Sequence, residues 1–283
     1  MPTLNQRIAR FYDESSPLWL DVWGDQMHHG YYGPDGSQRK PRREAQLDLI
    51  DELVDFAKLP DRVPARILDA GCGVGGSARY LAGRFGAKVL GVTLSELQAE
   101  RGSAYARLEG ADHLVEIRAQ DVYELDEPAG FDVVWSLESA EHMPDKRKLL
   151  AHFYELLRPG GTLAMVTWCR RETPPKISAE EQRTLNEIAR LYHLPGWVAP
   201  SSYSTLATEL GYTDIRTDDW SEAVAPFWGE VIRSAMSVQS LIGLLKAGAG
   251  TLKGAWAMRY MQAGFRQGLI KFSVLTARKP TLR

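Results

Sequence analysis

The chain has 283 residues, 44% of them hydrophobic and 25% charged, with a net charge of −2; these values exclude a disordered or collagen-like protein and fit one large domain with an accessory lobe, or two small domains. Its two cysteines, Cys72 and Cys169, lie too far apart for a disulfide framework or metal-ligand spacing, which fits a reducing compartment. The small net charge conceals an asymmetry: no acidic residue follows Val231, whereas nine basic residues lie between Val231 and Arg283.

In LNQRIARFYDESSPLWLDVWG, Leu4, Ile8, Phe11 and Tyr12, then Leu18, Trp19, Val22 and Trp23, recur at helical spacing and predict a helical preamble whose apolar stripes pack on the body. GDQMHHGYYG (24–33) comes next, and a metal site, a phosphate clamp, a catalytic lid and an ordered loop are all open to it. Adjacent histidines alone do not make a zinc site, and no Cys or Asp/Glu partner stands at ligand spacing, so no metal is expected. The turn-rich GYYGPDGSQRKP then leads to Pro41, which opens a helix running to about Lys58.

Between about residues 65 and 169, short apolar runs alternate with helical patterns. ARILDAG, AKVLGVTL, HLVEIRAQD, FDVVWSL and GTLAMVTW read as strands, and GSARYLAGRF, SELQAERGSAYARLEG and DKRKLLAHFYELLRP as the helices between them. Such alternation predicts a parallel sheet covered on both faces. Further helices are predicted at 178–193, 201–210 and over much of 223–268, with strands at YTDIRTDDW and LIKFSVLTARK. The expected architecture is α/β, a Rossmann-like seven-stranded sheet with a helical cap. It divides into an N-terminal lid (1–40), a core (41–170) and a remainder (171–283) that carries cap insertions at about 171–200 and 221–268.

ILDAGCGVGGSA is the most informative stretch. A strand ends at Asp69, and Gly71, Gly73 and Gly76 fit G-x-G-x-x-G running into a helix, where glycines let the backbone turn tightly and approach a ligand. Nicotinamide and flavin enzymes use the same spacing, so the motif alone leaves a dinucleotide oxidoreductase open. Asp69 argues for a cationic ligand, because a carboxylate there attracts positive charge and repels a pyrophosphate. With LRPGG (157–161) before the fifth strand and FDVVWSL forming the fourth, the chain resembles the class I S-adenosylmethionine-dependent methyltransferases: 66–75, 129–137 and 156–165 match that family's three motifs, and the resemblance spans about 40–220. It implies S-adenosyl-L-methionine as methyl donor, released as S-adenosyl-L-homocysteine. GVTLSELQ, with Thr93, Leu94 and Gln98 where the superfamily often has a ribose-binding acid, is similar to the sterol, cyclopropane-fatty-acid and tocopherol methyltransferase branch; Glu96 or Glu100 is the alternative ribose ligand. In AQDVYEL the resemblance gives Asp121, with Val122 beside it, the adenine amino group. Ser136 and Leu137 would flank the methionine end.

SLESAEHMPDK (136–146) follows the fourth strand, at the sheet edge where open α/β folds bind ligands. Glu138, Glu141 and His142 stand there, and the resemblance makes His142 the first candidate for a general base. FYDESSPLWLDVWG…MHHGYYGP, TWCRR and DDWSEAVAPFW extend the likeness over nearly the whole chain to tocopherol C-methyltransferases and their alkaloid N-methyltransferase relatives. By it, Tyr31 or Tyr32 closes on the methionine carboxylate and His28 or His29 reaches the acceptor; Glu138, near His142 in the sequence, is a further catalytic candidate. The implied acceptor is a small hydrophobic aromatic molecule, a chromanol with a prenyl tail such as gamma-tocopherol, with an indole-type amine as the alternative.

Trp220, Phe227, Trp228, Trp256, Met258, Tyr260, Met261 and Phe265 are candidates for an apolar acceptor site or for plain core. The basic end suggests peripheral contact with an anionic membrane through residues 231–271. Nucleic acid is not an expected partner, since the acidic body shows no basic groove with interleaved aromatics. No leader and no run of about 18 apolar residues is evident. The expected location is therefore the cytoplasm or a membrane surface of a bacterium, by resemblance a cyanobacterium, or the plastid for a mature plant protein.

Overall fold

The computed structural model describes residues 3–59, 65–235 and 258–281. Seven strands form one sheet: β1 (Arg66–Ala70), β2 (Lys88–Thr93), β3 (Val115–Ala119), β4 (Phe131–Leu137), β5 (Leu157–Arg170), β6 (Thr213–Asp219) and β7 (Ile270–Arg278). Their order is β3-β2-β1-β4-β5-β7-β6. The first five are parallel, and β7 runs antiparallel to both β5 and β6. The sheet is therefore mixed, since β7 enters between β5 and β6 in the opposite sense after a helical segment at 258–266 that ends at Gly268, φ 65°.

Nine helices are present among the described residues with printed bounds: α1 (Leu4–Trp23), α2 (Arg42–Phe56), α3 (Gly76–Phe85), α4 (Glu96–Leu108), α5 (Lys146–Leu156), α6 (Ala179–Leu191), α7 (Pro200–Glu209), α8 (Ser221–Val224) and α9 (Pro226–Ala235). α1 is one continuous helix, as the preamble's spacing predicts, and runs through Pro17 although proline has no N–H for the helical ladder. A capping box at Thr3 and Gln6 starts it, and Gly24, φ 81°, stops it. Of the basic segment expected to touch a membrane, residues 236–257, including Trp256, lie outside the described residues. No helix is long and apolar enough to cross a membrane among the described residues.

Strand alternation sorts the core onto the two sheet faces. Val133, Trp135 and Leu137 join one buried cluster with Ile67 and Val166, while Val134 joins the other with Leu68 and Met165. Phe131 is out of phase with Val133, because a register shift between them turns its side chain to the opposite face. β5 begins earlier than the apolar run suggests: Leu157 already pairs with Phe131, and a Cβ on Gly161 would meet the Phe131 carbonyl oxygen at 3.0 Å. Each large apolar side chain so buried stabilises the fold by about 1.5–3 kcal/mol. The cap aromatics belong to this core: Trp220, Phe227, Trp228, Met261 and Phe265 are all buried, whereas Met258 and Tyr260 are partly exposed.

Candidate functional site

The carboxyl ends of β1, β2, β3 and β4 open into a cavity of about 980 Å³, open solvent included, roofed by α1 and by the loop after it. The glycine loop forms its floor. Gly71 (φ 82°) and Gly73 (φ 55°) adopt the left-handed conformation, and a Cβ on Gly71 would collide with the Ser139 side chain. A Cβ on Gly76 would run into the Asp25 carbonyl oxygen and the Gln26 side chain, so the third glycine is what allows the roof loop to lie on the first turn of α3.

Asp69 lines this cavity and is buried; burial pushes its carboxyl up to about 7, against an opposing hydrogen bond from the Ala78 N–H. Its Oδ2 has no hydrogen-bond partner among the described residues. A buried carboxylate oxygen without a donor, beside a glycine cradle no Cβ would permit, fits the cationic amino group of S-adenosylmethionine. Thr93, Leu94, Gln98, Asp121, Val122 and Leu137 line the same cavity. Glu96 and Glu100 are exposed and do not, so the two alternative ribose acids fall away.

Several expected contacts are held by the roof instead. Thr93 Oγ1 donates to Gln98 Oε1 at 2.8 Å, and Gln98 Nε2 donates to Ser16 Oγ on α1 at 3.0 Å. Ser95, which caps α4, also donates to Asp13. Asp121 accepts from Tyr123 N at 2.9 Å and from the Asn5 amide. Asn5, Ile8, Tyr12 and Ser16 thus share one face of α1, at i, i+3, i+7 and i+11. Apart from Tyr12 and Ile8 as stripe residues, the sequence reading missed this polar face; the helical spacing of Asn5, Tyr12 and Ser16 was the signal that could have found it.

The roof loop holds three of the expected residues away from the cavity. Tyr31 and Tyr32 do not line the cavity: Tyr31 packs edge-on against Trp220, ring centroids 5.5 Å apart, and Tyr32 is buried with its N–H donated to the Ala223 carbonyl at 2.9 Å. Their backbone bonds hold both residues in the core. His29 is also core, with Phe227 and Trp228 ring centroids 4.8 and 5.0 Å from its own. Its N–H donates to Glu138 Oε1 at 2.7 Å, its Nδ1 lies 2.6 Å from Glu138 Oε2, and Trp168 Nε1 donates to that same oxygen at 3.0 Å. Burial works to raise the Glu138 carboxyl, but His29 and, behind it, His28 hold it below the ordinary range. Glu138, at φ 54°, borders the cavity and clips the roof loop to β5.

His28 does line the cavity, with Nδ1 2.8 Å from the His29 carbonyl oxygen and Nε2 3.2 Å from Gln26 Oε1. Burial lowers its pKa, against the raising influence of the Glu138 carboxylate. Ser136 does not border the cavity; fully buried, it meets Ser139 Oγ at 2.9 Å, and Ser139 donates to the Ala70 carbonyl at 2.6 Å, tying β4 to β1.

His142 sits in a single turn, Ala140–His142, whose carbonyls are gathered by Lys146: Nζ donates to Ala140 O at 2.6 Å and to Glu141 O at 3.3 Å, and also to Met143 O. Its Nε2 lies 2.8 Å from Tyr12 Oη, and both side chains line the cavity. Burial first, then the positive charge of Lys146 and His193, pulls its pKa down to about 3. The imidazole is thus neutral, as the sequence suggests, but too weak a base to deprotonate a resting phenol. Behind the turn, Glu141 is buried and pushed up to about 8 by burial and by Glu138, accepting from Thr167 Oγ1 at 2.9 Å.

A family model described as a methyltransferase domain matches residues 67–161, which hold the glycine loop, Asp121 and His142. Over 99% of its length the chain is 44% identical to a protein of Oryza sativa subsp. japonica described as a probable chloroplastic tocopherol O-methyltransferase, of which it covers 79%. It is 29% identical to the norajmaline N-methyltransferase of Rauvolfia serpentina, with 99% of each chain covered. In structure it is similar to a cyclopropane synthase from Mycobacterium tuberculosis, TM-score 0.84 at 18% identity over 98% of this chain and 99% of that one.

Proposed function

We propose that this chain, which belongs to the tocopherol methyltransferase family of class I S-adenosylmethionine-dependent methyltransferases, methylates a ring carbon of a chromanol, as in the conversion of gamma- to alpha-tocopherol and of delta- to beta-tocopherol. S-adenosylmethionine supplies, when bound, an electrophilic methyl on a cationic sulfur. Asp69 would hold its amino group, the backbone of Gly71 and Gly73 its methionine and sugar portions, and Asp121 its adenine. The protein's remaining tasks are to align the acceptor with the methyl and to keep water out.

The observation that carries this reading is the Tyr12–His142 pair, a phenol 2.8 Å from an imidazole in the wall of the cavity that contains Asp69. Such a pair suits an acceptor hydroxyl. A hydroxyl engaged by hydrogen bonds is withdrawn from attack and leaves the adjacent ring carbon facing the methyl, which favours carbon over the oxygen named for the rice relative. α1 supports the exclusion of water, since its polar face closes over the cavity at Asp121, Gln98 and His142. An amine acceptor, as in the alkaloid relatives, makes no use of a hydroxyl-binding pair.

The acid-free run after Val231 supports access to an acceptor dissolved in a bilayer, each basic residue near an anionic surface contributing about 1 kcal/mol. The test is incubation with methyl-labelled S-adenosylmethionine and gamma-tocopherol, delta-tocopherol or an indole alkaloid, with the label located by mass spectrometry and NMR. Label on a chromanol ring carbon is the expected result. Label on the phenol oxygen, or on nitrogen alone, overturns the reading.

A further inference from the structure

We propose that Arg79 is a positioning residue for the methyl donor: its guanidinium clasps the start of the roof loop, at Asp25, to the glycine loop, at Val74, and so keeps the cofactor cavity in its closed, binding-ready shape. The inference concerns cofactor binding and does not depend on which acceptor is methylated.

Arg79 stands one turn into α3, and its side chain is only 4% exposed, an uncommon place for an arginine. Three of its nitrogens point to three different elements. Nη1 donates back to the Val74 carbonyl at 2.8 Å, inside the glycine loop. Nη2 donates to Asp25 Oδ2 at 2.8 Å, on the roof, and Nε donates to Glu109 Oε2 at 3.0 Å, at the end of α4. The Tyr105 ring, one turn earlier on α4, lies with its centroid 5.2 Å from the guanidinium carbon. A cation so buried is compensated by its two carboxylates, and the planar fork spreads its donors over a width that a single ammonium nitrogen does not.

The two loops so joined are facing walls of the cavity. Asp25 and Met27 line it from the roof, Gly73 and Val74 from the floor. Where the walls meet the fit is close: a Cβ on Gly76 would strike the Asp25 carbonyl oxygen, and one on Gly73 would lie 3.8 Å from Met27 Sδ. Gly102 of α4 crowds the Val74 carbonyl from the other side, a Cβ there lying 3.0 Å from the oxygen, so that oxygen is fixed between α4 and Arg79. Later residues of the roof are tied elsewhere, Gln46 of α2 donating to the Gln26 and His28 carbonyls and Glu138 accepting from His29. Arg79 joins the roof to the cradle itself. Arg43 of α2 takes the other oxygen of Asp25. The Asp25 carboxylate is thereby occupied although it borders the cavity, which leaves Asp69, whose Oδ2 has no partner among the described residues, to meet the cofactor's amino group.

Without the clasp the ligand itself must impose the closed arrangement. Apparent affinity falls with the fraction of molecules already in the competent shape. A hydrogen bond to a charged group favours that shape by about ten- to a hundredfold.

The test is the affinity of S-adenosylmethionine by calorimetric titration and its release by stopped-flow competition, neither of which needs an acceptor. Arg79→Met should raise the dissociation constant by about ten- to a hundredfold, chiefly through faster release. With gamma-tocopherol as acceptor, kcat at saturating cofactor should stay within about threefold while the KM for cofactor rises, the pattern of a group that holds ground state and transition state alike. Asp25→Asn should weaken binding comparably, and the double variant should fall short of the product of the two effects, as for two ends of one contact. Glu109→Gln alters only the outer, half-exposed partner of Arg79 and should leave the dissociation constant within about twofold of the wild type. A constant for Arg79→Met that is unchanged or tighter overturns the inference. So does an equal rise in Glu109→Gln, which marks general loosening, or a full multiplication in the double variant. Where Arg79→Met does not fold, Asp25→Asn decides with Arg43→Met beside it: an unchanged constant in the first, or an equal rise in the second, overturns the clasp. A wild type that methylates no chromanol overturns the functional reading above and leaves the binding measurements to decide this one.

Discussion

Asp69→Asn is expected to abolish a pH dependence of cofactor binding. In the cofactor-free protein, burial raises the Asp69 carboxyl to about 7, and its Oδ2 has no partner among the described residues. Binding a cationic amino group requires the carboxylate and lowers its pKa in the complex. Affinity is therefore full above pH 7 and falls as the pH drops through 7, by up to tenfold per unit. At pH 5 the deficit is about a hundredfold, or roughly 2.7 kcal/mol. Calorimetric titration of S-adenosylmethionine between pH 5 and 7 stays below the ligand amine's own titration near about 8. Buffers of different ionisation enthalpy should report close to one proton released per ligand bound at pH 5. In Asp69→Asn both the slope and the released proton should vanish, with affinity at pH 7 weaker than wild type. A wild-type affinity constant within threefold across this range, or an equal slope in the variant, refutes the reasoning. The linkage to stability has its own sign: a raised carboxyl binds its proton more tightly in the folded protein, so this stabilisation is present below 3.8 and lost as the pH rises through about 7. Cofactor-free Asp69→Asn should accordingly gain on the wild type toward pH 8, by up to about 4 kcal/mol in urea titrations.

His142 carries the opposite sign, since its folded pKa is depressed to about 3: stability is full above 6.5 and declines as the pH falls from 6.5 toward 3. His142→Gln should flatten that acid limb in denaturant titrations, and kcat of the wild type should show no titration near 6.5. Glu138→Gln replaces an acceptor of three N–H bonds, from His29 twice and from Trp168, and is expected to cost about 2–3 kcal/mol by chemical denaturation and to weaken cofactor binding. Lys146→Met should cost about 2–3 kcal/mol and lower kcat, because the turn carrying His142 loses its tie to Ala140 and Glu141 carbonyls. Gly76→Ala should lower cofactor affinity while leaving β1 and α3 folded by circular dichroism, since the added methyl meets the Asp25 backbone.

What the sequence disclosed is what depends on neighbours along the chain. The spacing of Gly71, Gly73 and Gly76, the carboxylate at Asp69 and the alternation of strand and helix are local constraints, and the cavity floor follows from them. The roof depends on distant partners. Asn5 is 116 residues from Asp121, Tyr12 is 130 from His142 and His29 is 109 from Glu138, and periodicity contains no information about such pairs. Tyr31 and Tyr32 misled for a related reason. Their surroundings are rich in turn residues, which mark a loop without showing where it packs; Tyr31 N–H donates to the Ala45 carbonyl at 2.7 Å and Tyr32 N–H to that of Ala223 at 2.9 Å, and both residues lie inside. The antiparallel direction of β7 was equally illegible, because alternation identifies a strand without giving its sense.

The fastening of α1 bears on time as well as on place. Its bonds reach three separate segments that follow strands, at Asp121, Gln98 and His142, so a ligand whose exit passes under α1 is held by all three. If release passes that way, the residence time of the spent nucleoside is set by how fast α1 lets go. Weakening a single bond on that face shortens the wait without touching the methyl, so an enzyme limited by release would turn over faster when Asn5 or Ser16 is shortened.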